Sequence, residues 1–151
     1  TKDLYVLDVA EATNVLYHDI VTSPIGDPKG LLSGINMILL PADTKMVELM
    51  CSCLADRNIH YKKGNFATGD QFIATKDQKD YISNTFDAIA AEMEGGSIGH
   101  VCYVNKVPFA ILRSIADGDG GETDYQTFAE KAAHQSIEVV LEFIGRAGEL
   151  N

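Results

Sequence analysis

Two short apolar runs of this chain end in carboxylates. Ala88-Ile89-Ala90-Ala91 leads into Glu92-Met93-Glu94 and then Gly95-Gly96-Ser97, and Pro108-Phe109-Ala110-Ile111-Leu112 leads through Arg113 to Asp117. A carboxylate is costly to desolvate, so acids at the tips of buried strands are not there for packing. Paired acids can hold sugar hydroxyls and orient a water. Two strands that release acids at their carboxyl ends match the place where α/β folds build their active sites.

Each candidate has a functional and a structural reading. Glu92 and Glu94 share one side if the strand persists through both, with Met93 facing the other way. Alternatively, they are the acids that a helix dipole favours at its amino terminus. Arg113, inside an apolar run, is expected to be buried and paired with Glu92 or Glu94. That pair serves either the chemistry or the fold alone. Asp117, followed by Gly118-Asp119-Gly120-Gly121, suits a general acid beside a ligand, or an ordinary turn aspartate. The same loop does not fit a calcium site, because Gly121 and Glu122 occupy the wrong places. It fails the dinucleotide fingerprint too, since Thr123 stands where the third glycine belongs. His18 and His100 read as satisfied, half-buried histidines. The four histidines lack zinc spacing, so no metal and no cofactor is expected. Ser97 and Ser114 have no nucleophile setting.

The elements that must position these residues alternate along the chain. A strand is expected over 4–10, which residues 13–17 continue or pair with. A long loop holding two prolines follows over 23–34, and its apolar tail, 35–40, could cover a pocket or a partner subunit. A helix starts at Asp43 and buries Met46, Val47, Leu49, Met50 and Leu54. Further strands are expected over 59–68, 88–91 and 108–115. The intervening helices are 76–85 and about 95–104, and Gly95 and Gly99 there allow close packing. The last helix, about 124–144, turns Phe128, Ala132, Val139, Val140 and Phe143 inward. This order predicts an α/β fold, one domain over 1–151, with a largely parallel sheet.

Composition narrows the partners. The 151 residues carry a net charge of −10, with scattered lysines and arginines, which argues against binding nucleic acid phosphates. A neutral or cationic small molecule is the easier partner. No apolar run is long enough to cross a bilayer, so no membrane partner is expected. Three cysteines, Cys51, Cys53 and Cys102, form no even framework and point to a reducing cytoplasm. Cys51 and Cys53 read as small buried hydrophobes.

Tyr17-His18-Asp19, Gly69-Asp70-Gln71-Phe72-Ile73, Ala91-Glu92-Met93-Glu94-Gly95, Val107-Pro108-Phe109, Arg113-Ser114-Ile115-Ala116-Asp117 and the stretch 128–136 occur together in this order. With them the chain resembles the bacterial 5′-methylthioadenosine/S-adenosylhomocysteine nucleosidases of the nucleoside phosphorylase superfamily, over almost its whole length. The resemblance implies a mixed sheet flanked by helices and hydrolysis of an N-glycosidic bond with release of adenine. It also implies the roles of single residues. Phe72 would stack on adenine, with Ile73 beside it while backbone atoms read the base edge. Asp117 would protonate or hydrogen-bond purine N7. Met93 and Glu94 would hold the ribose, Glu92 and Arg113 would organise the attacking water, and Tyr125 would cover the thioether end. Protonation relieves charge on the departing base, and a carboxylate-rich cradle stabilises the positive sugar.

The sequence departs from the family pattern in two places. Ala116 replaces a serine before the acid, which removes a hydroxyl near Asp117. The family's opening strand with a Gly-Ala-Met-Glu-like motif, whose glutamate activates water, and its Gly-Ser-Ala-Gly-like turn have no match before Tyr17. The chain therefore resembles the carboxyl-terminal portion of such an enzyme, with the first strands absent and with no catalysis expected of it alone. A sheet without those strands exposes an edge and apolar surface, so a homodimer, or a segment supplied by another piece of the same protein, is expected. The alternatives are a futalosine-type nucleosidase, a purine nucleoside phosphorylase distinguished by phosphate dependence, and a non-catalytic chain that only folds or dimerises.

Overall fold

A computed structural model describes residues 4–116 and 122–150, the last segment without the side chains of 122–125. Strand β1 (Val9–Tyr17) is followed by a short 3-10 turn (Ser23–Ile25) and the two-residue strand β2 (Leu40–Pro41). Then come α1 (Thr44–Asp56), β3 (Tyr61–Thr68), α2 (Lys76–Phe86), β4 (Ala88–Glu92), α3 (Gly95–Asn105), β5 (Leu112–Ser114), α4 (Glu122–Gly145) and a terminal 3-10 turn (Ala147–Leu150).

The sheet is mixed, as the family resemblance implies, and less parallel than the strand–helix alternation predicts. Parallel pairing joins β1 to β3 and β3 to β4, whereas β2 and β5 both run antiparallel to β1. Helices α1 and α2 supply the crossovers between the parallel strands. The segment after α3 returns directly to the outer edge of β1, so β5 arrives in the opposite sense.

Local chemistry moves several boundaries. The expected strand over 4–10 begins only at Val9, because residues 5–8 form a turn. The Asp8 carboxylate accepts the Tyr5 N–H at 2.8 Å, and Leu7 takes a φ of 74°. Residues 13–17 do continue the strand, across a register shift between Ala12 and Asn14. The strand expected over 108–115 shrinks to 112–114. The Asp43 N–H donates to the Phe109 carbonyl, which ties that approach to the start of α1 rather than to a ladder. Helix α1 starts as read, with Asp43 capping the Met46 N–H at 2.9 Å. Thr75 and Gln78 form a capping box on α2.

Three apolar clusters hold the layers together. Ala10, Ala12, Val15, Phe66, Phe109 and Ile111 pack on one face of β1, and α3 lies close against it: a Cβ on Gly99 would meet Val15 Cγ2 at 2.5 Å. On another face, Val9 meets Leu49, Met50, Cys53 and Leu54 of α1 and Val139 and Phe143 of α4. The third cluster, Leu16, Ala67, Ile82, Phe86 and Ala88, seats α2. Cys51 and Cys53 are buried as small hydrophobes, and Cys102 is half-buried. Of the expected inner face of α4, Ala132, Val139 and Phe143 are buried, while Phe128 and Val140 are half-buried.

Candidate active site

The parallel strands β1, β3 and β4 end together, at Tyr17, Thr68 and Glu92, and the registers Tyr17↔Thr68 and Thr68↔Glu92 align the three tips. Arg113 comes from β5, on the other side of β1 from β3, yet its Nη2 donates to Glu92 Oε2 at 2.7 Å and to Glu94 Oε2 at 2.6 Å. Two strands separate β5 from β4 in the pairing order, so the sheet must coil strongly to close this contact.

Glu92 is the centre of the arrangement. Its side chain is only 6% exposed. One oxygen accepts the Thr68 hydroxyl, and the other accepts Arg113 together with the Gly95 N–H at 2.6 Å and the Glu94 N–H at 3.0 Å. Burial, the largest single influence, pushes the Glu92 carboxyl up. The bonds from Thr68, Arg113 and the two amides outweigh it and hold the group below the usual carboxylate range. Glu92 is thus an oriented anion at neutral pH. The Thr68 oxygen also accepts the Gly96 N–H at 2.6 Å, which fastens the first turn of α3 to the end of β3.

Glu94 is differently placed. The strand stops at Glu92, and Glu94 takes the N-cap position of α3 without a side-chain cap bond. The shared side of one strand is therefore not what brings the two acids together: Arg113 does. The Glu94 side chain remains 63% exposed, so one acid is fixed in the protein while its neighbour meets solvent. Arg113 pairs with both acids, but its side chain is 36% exposed rather than buried, and its Nε is buried without a partner.

Met93, between the acids, is 44% exposed, and Phe72 is 50% exposed in the segment that leaves the β3 tip. Ile73 is half-buried and packs on the third cluster. Two expected site residues lie wholly or partly outside the described residues. Asp117 lies outside the described residues. Tyr125 falls in the first turn of α4, but its side chain lies outside them as well.

Several further residues have features that the sequence reading did not assign to them. Thr68 carried no signal beyond ending a strand. Tyr17 forms an edge contact with His100, and burial together with Asp19, Glu92 and Asp70 raises its phenol. His18 is buried, and its Nε2 has no partner, so the satisfied, half-buried reading is corrected. Glu11, in the middle of β1, is fully buried with both carboxyl oxygens unpartnered, and burial pushes it up to about 9. An acid between Val9-Ala10 and Ala12 was a visible signal that the early strand boundary concealed. Among the described residues no three His, Cys, Asp or Glu side chains are gathered as a metal site would need, and no helix is long and apolar enough to cross a membrane.

Comparison with known proteins gives one consistent picture. The family described as Phosphorylase superfamily matches residues 1–145. An aminodeoxyfutalosine nucleosidase of Helicobacter pylori (strain J99) is 32% identical over 145 residues, covering 95% of this chain and 63% of the relative. A 5′-methylthioadenosine/S-adenosylhomocysteine nucleosidase of Staphylococcus saprophyticus is 36% identical over 143 residues, covering 92% of this chain and 62% of the relative. The crystal structure of the Helicobacter pylori methylthioadenosine/adenosylhomocysteine nucleosidase with butyl-thio-DADMe-Immucillin-A superposes with a TM-score of 0.91 at 31% identity, covering 97% of this chain and 63% of that one. The chain thus spans about 63% of the length of relatives of this kind.

Proposed function

Because this chain belongs to the phosphorylase superfamily, we propose that its site cleaves the N-glycosidic bond of an adenine-containing nucleoside, as part of a protein of the relatives' length. The supporting observation is the convergence of Glu92, Glu94 and Arg113 at the strand tips, with Met93 exposed between the two acids and Phe72 exposed in the segment that leaves the β3 tip. In this reading Phe72 and Ile73 form the base platform, and Asp117 delivers a proton to the leaving purine. Met93 and Glu94 hold the ribose, Glu92 and Arg113 order the attacking water, and Tyr125 covers the 5′ substituent. A carboxylate held ionised and dry at Glu92 suits stabilisation of an oxocarbenium-like sugar.

Methylthioadenosine and S-adenosylhomocysteine are the proposed substrates. Aminodeoxyfutalosine is an equal second reading, because relatives named for each activity match over the same span with similar identity. The protein is placed in the cytoplasm as a homodimer serving methionine salvage. The 151 residues by themselves are assigned background turnover, because the water-activating glutamate of the family pattern has no match in them. The test is adenine release from each of the three nucleosides by a protein of the relatives' length containing this sequence. Release is expected with one or more of them and is lost in Asp117→Asn. Undiminished release in that variant overturns the mechanism, and a strict requirement for phosphate reassigns the reaction to phosphorolysis.

A further inference from the structure

The turn that leads from β3 to Phe72 is held from one side by two residues with no assigned role. Asp19 Oδ2 accepts the Asp70 N–H at 2.8 Å, and the His18 N–H donates to the Thr68 carbonyl at 2.9 Å, carrying the β1–β3 ladder to the tip. The imidazole of His18 fills the space that a side chain on residue 69 would need. A Cβ on Gly69 would lie 2.3 Å from His18 Nε2, 2.5 Å from His18 Cε1 and 2.9 Å from Asp19 Oδ2. The Gly69 N–H in turn donates to the Glu92 carbonyl at 3.1 Å, so the same turn also touches the acid centre. Beyond Phe72 the chain is held again, by Ile73 in the third cluster and by the Thr75–Gln78 capping box. Phe72, half exposed, is thus suspended between two fixed points.

His18 is an expensive way to fill that space. Its Nε2 is buried and unpartnered, and such a nitrogen destabilises relative to an apolar group of similar shape. Residues that lower stability while shaping a site mark a trade between the two.

We propose that His18 and Asp19 are positioning residues for base recognition: the His18 ring against Gly69 and the Asp19 cap on Asp70 set the height and direction of the Phe72 platform without touching the ligand. This rests on the proposed function for the identity of the ligand, but not for the geometry of the turn.

The experiment uses a protein of the relatives' length containing this sequence, with adenine as the probe and ligand-free amide hydrogen exchange as a second measurement. Asp19→Ala is expected to speed exchange at Asp70 at least tenfold and to weaken adenine binding about tenfold, equivalent to about 1.4 kcal/mol. His18→Leu is expected to weaken adenine binding while melting at the same temperature or higher, a combination that a merely structural role does not produce. Gly69→Ala is expected to weaken adenine binding with His18 present and to have a clearly smaller effect in a His18→Ala background, where only the Asp19 Oδ2 contact at 2.9 Å remains, and the difference isolates the ring–glycine contact. Unchanged adenine affinity in Asp19→Ala and His18→Leu overturns the proposal. Absence of adenine binding by the unmodified protein overturns the proposed function instead. The turn is then judged by exchange alone, and unaltered protection at Asp70 in Asp19→Ala overturns this inference.

Discussion

Arg113 Nη2 stands 2.7 Å from Glu92 Oε2, although the two residues lie on strands separated by two others in the sheet. That contact closes the coil of the sheet and draws an exposed acid, Glu94, to the same nitrogen. Removing the guanidinium leaves Glu92 nearly dry with only the Thr68 hydroxyl and two amides. Arg113→Met is therefore expected to cost about 1–3 kcal/mol, below the 3–5 typical of a broken buried pair because those three donors remain. Denaturant unfolding at pH 7 measures it, and a loss under about 0.5 kcal/mol, the size of an ordinary surface change, contradicts it.

The pH dependence of that pair has a definite sign. The folded-state carboxyl of Glu92 is held below its ordinary 4.5. Its contribution is present in full above pH 4.5 and is lost as the pH falls through the lower folded value. Glu92→Gln is expected to reduce the fall in stability on acidification below pH 4.5, measured by thermal unfolding from pH 6 to pH 3.

Thr68 couples two elements through one oxygen, donating to Glu92 and accepting from Gly96. Thr68→Val strands the Gly96 amide and removes a donor from a buried anion. A loss of about 1–3 kcal/mol is expected, with Thr68→Ser recovering most of it. No loss in Thr68→Val beside a clear loss in Thr68→Ser would show that the methyl group, not the hydroxyl, matters.

Glu11 works in the opposite direction. Its folded carboxyl is pushed up to about 9 from 4.5 by burial, so between those values the unfolded chain gives up a proton that the folded chain keeps. Stability therefore falls as the pH rises from about 4.5 to about 9 and then levels off. Glu11→Val is expected to flatten that slope and to raise stability at pH 8. Parallel urea titrations of both proteins between pH 5 and pH 10 decide it, and parallel slopes would remove Glu11 as the cause.

Glu94 separates binding from stability. Its side chain is 63% exposed, so Glu94→Gln is expected to change unfolding free energy by no more than about 0.5 kcal/mol. If Glu94 grips the ribose, the same variant weakens nucleoside binding clearly more than adenine binding. Equal effects on the two ligands remove that role.

Periodicity and capping were legible in the residues themselves. Asp43 ahead of Met46, Val47, Leu49, Met50 and Leu54 marked the start of α1, and the apolar run before Glu92 marked β4, because hydrogen-bond geometry and burial of one face act over a few neighbours. The same locality made Glu92, Glu94 and Arg113 visible as charges that an apolar run does not need. What neighbours cannot encode is direction and convergence. Nothing local to 112–114 says that the strand runs against β1, that the sheet coils until Arg113 spans to β4, or that Thr68 and His18 arrive beside Glu92 and Gly69. The side-chain contacts among them join residues 21 to 51 positions apart, and only the burial of three apolar clusters around one coiled sheet brings them together.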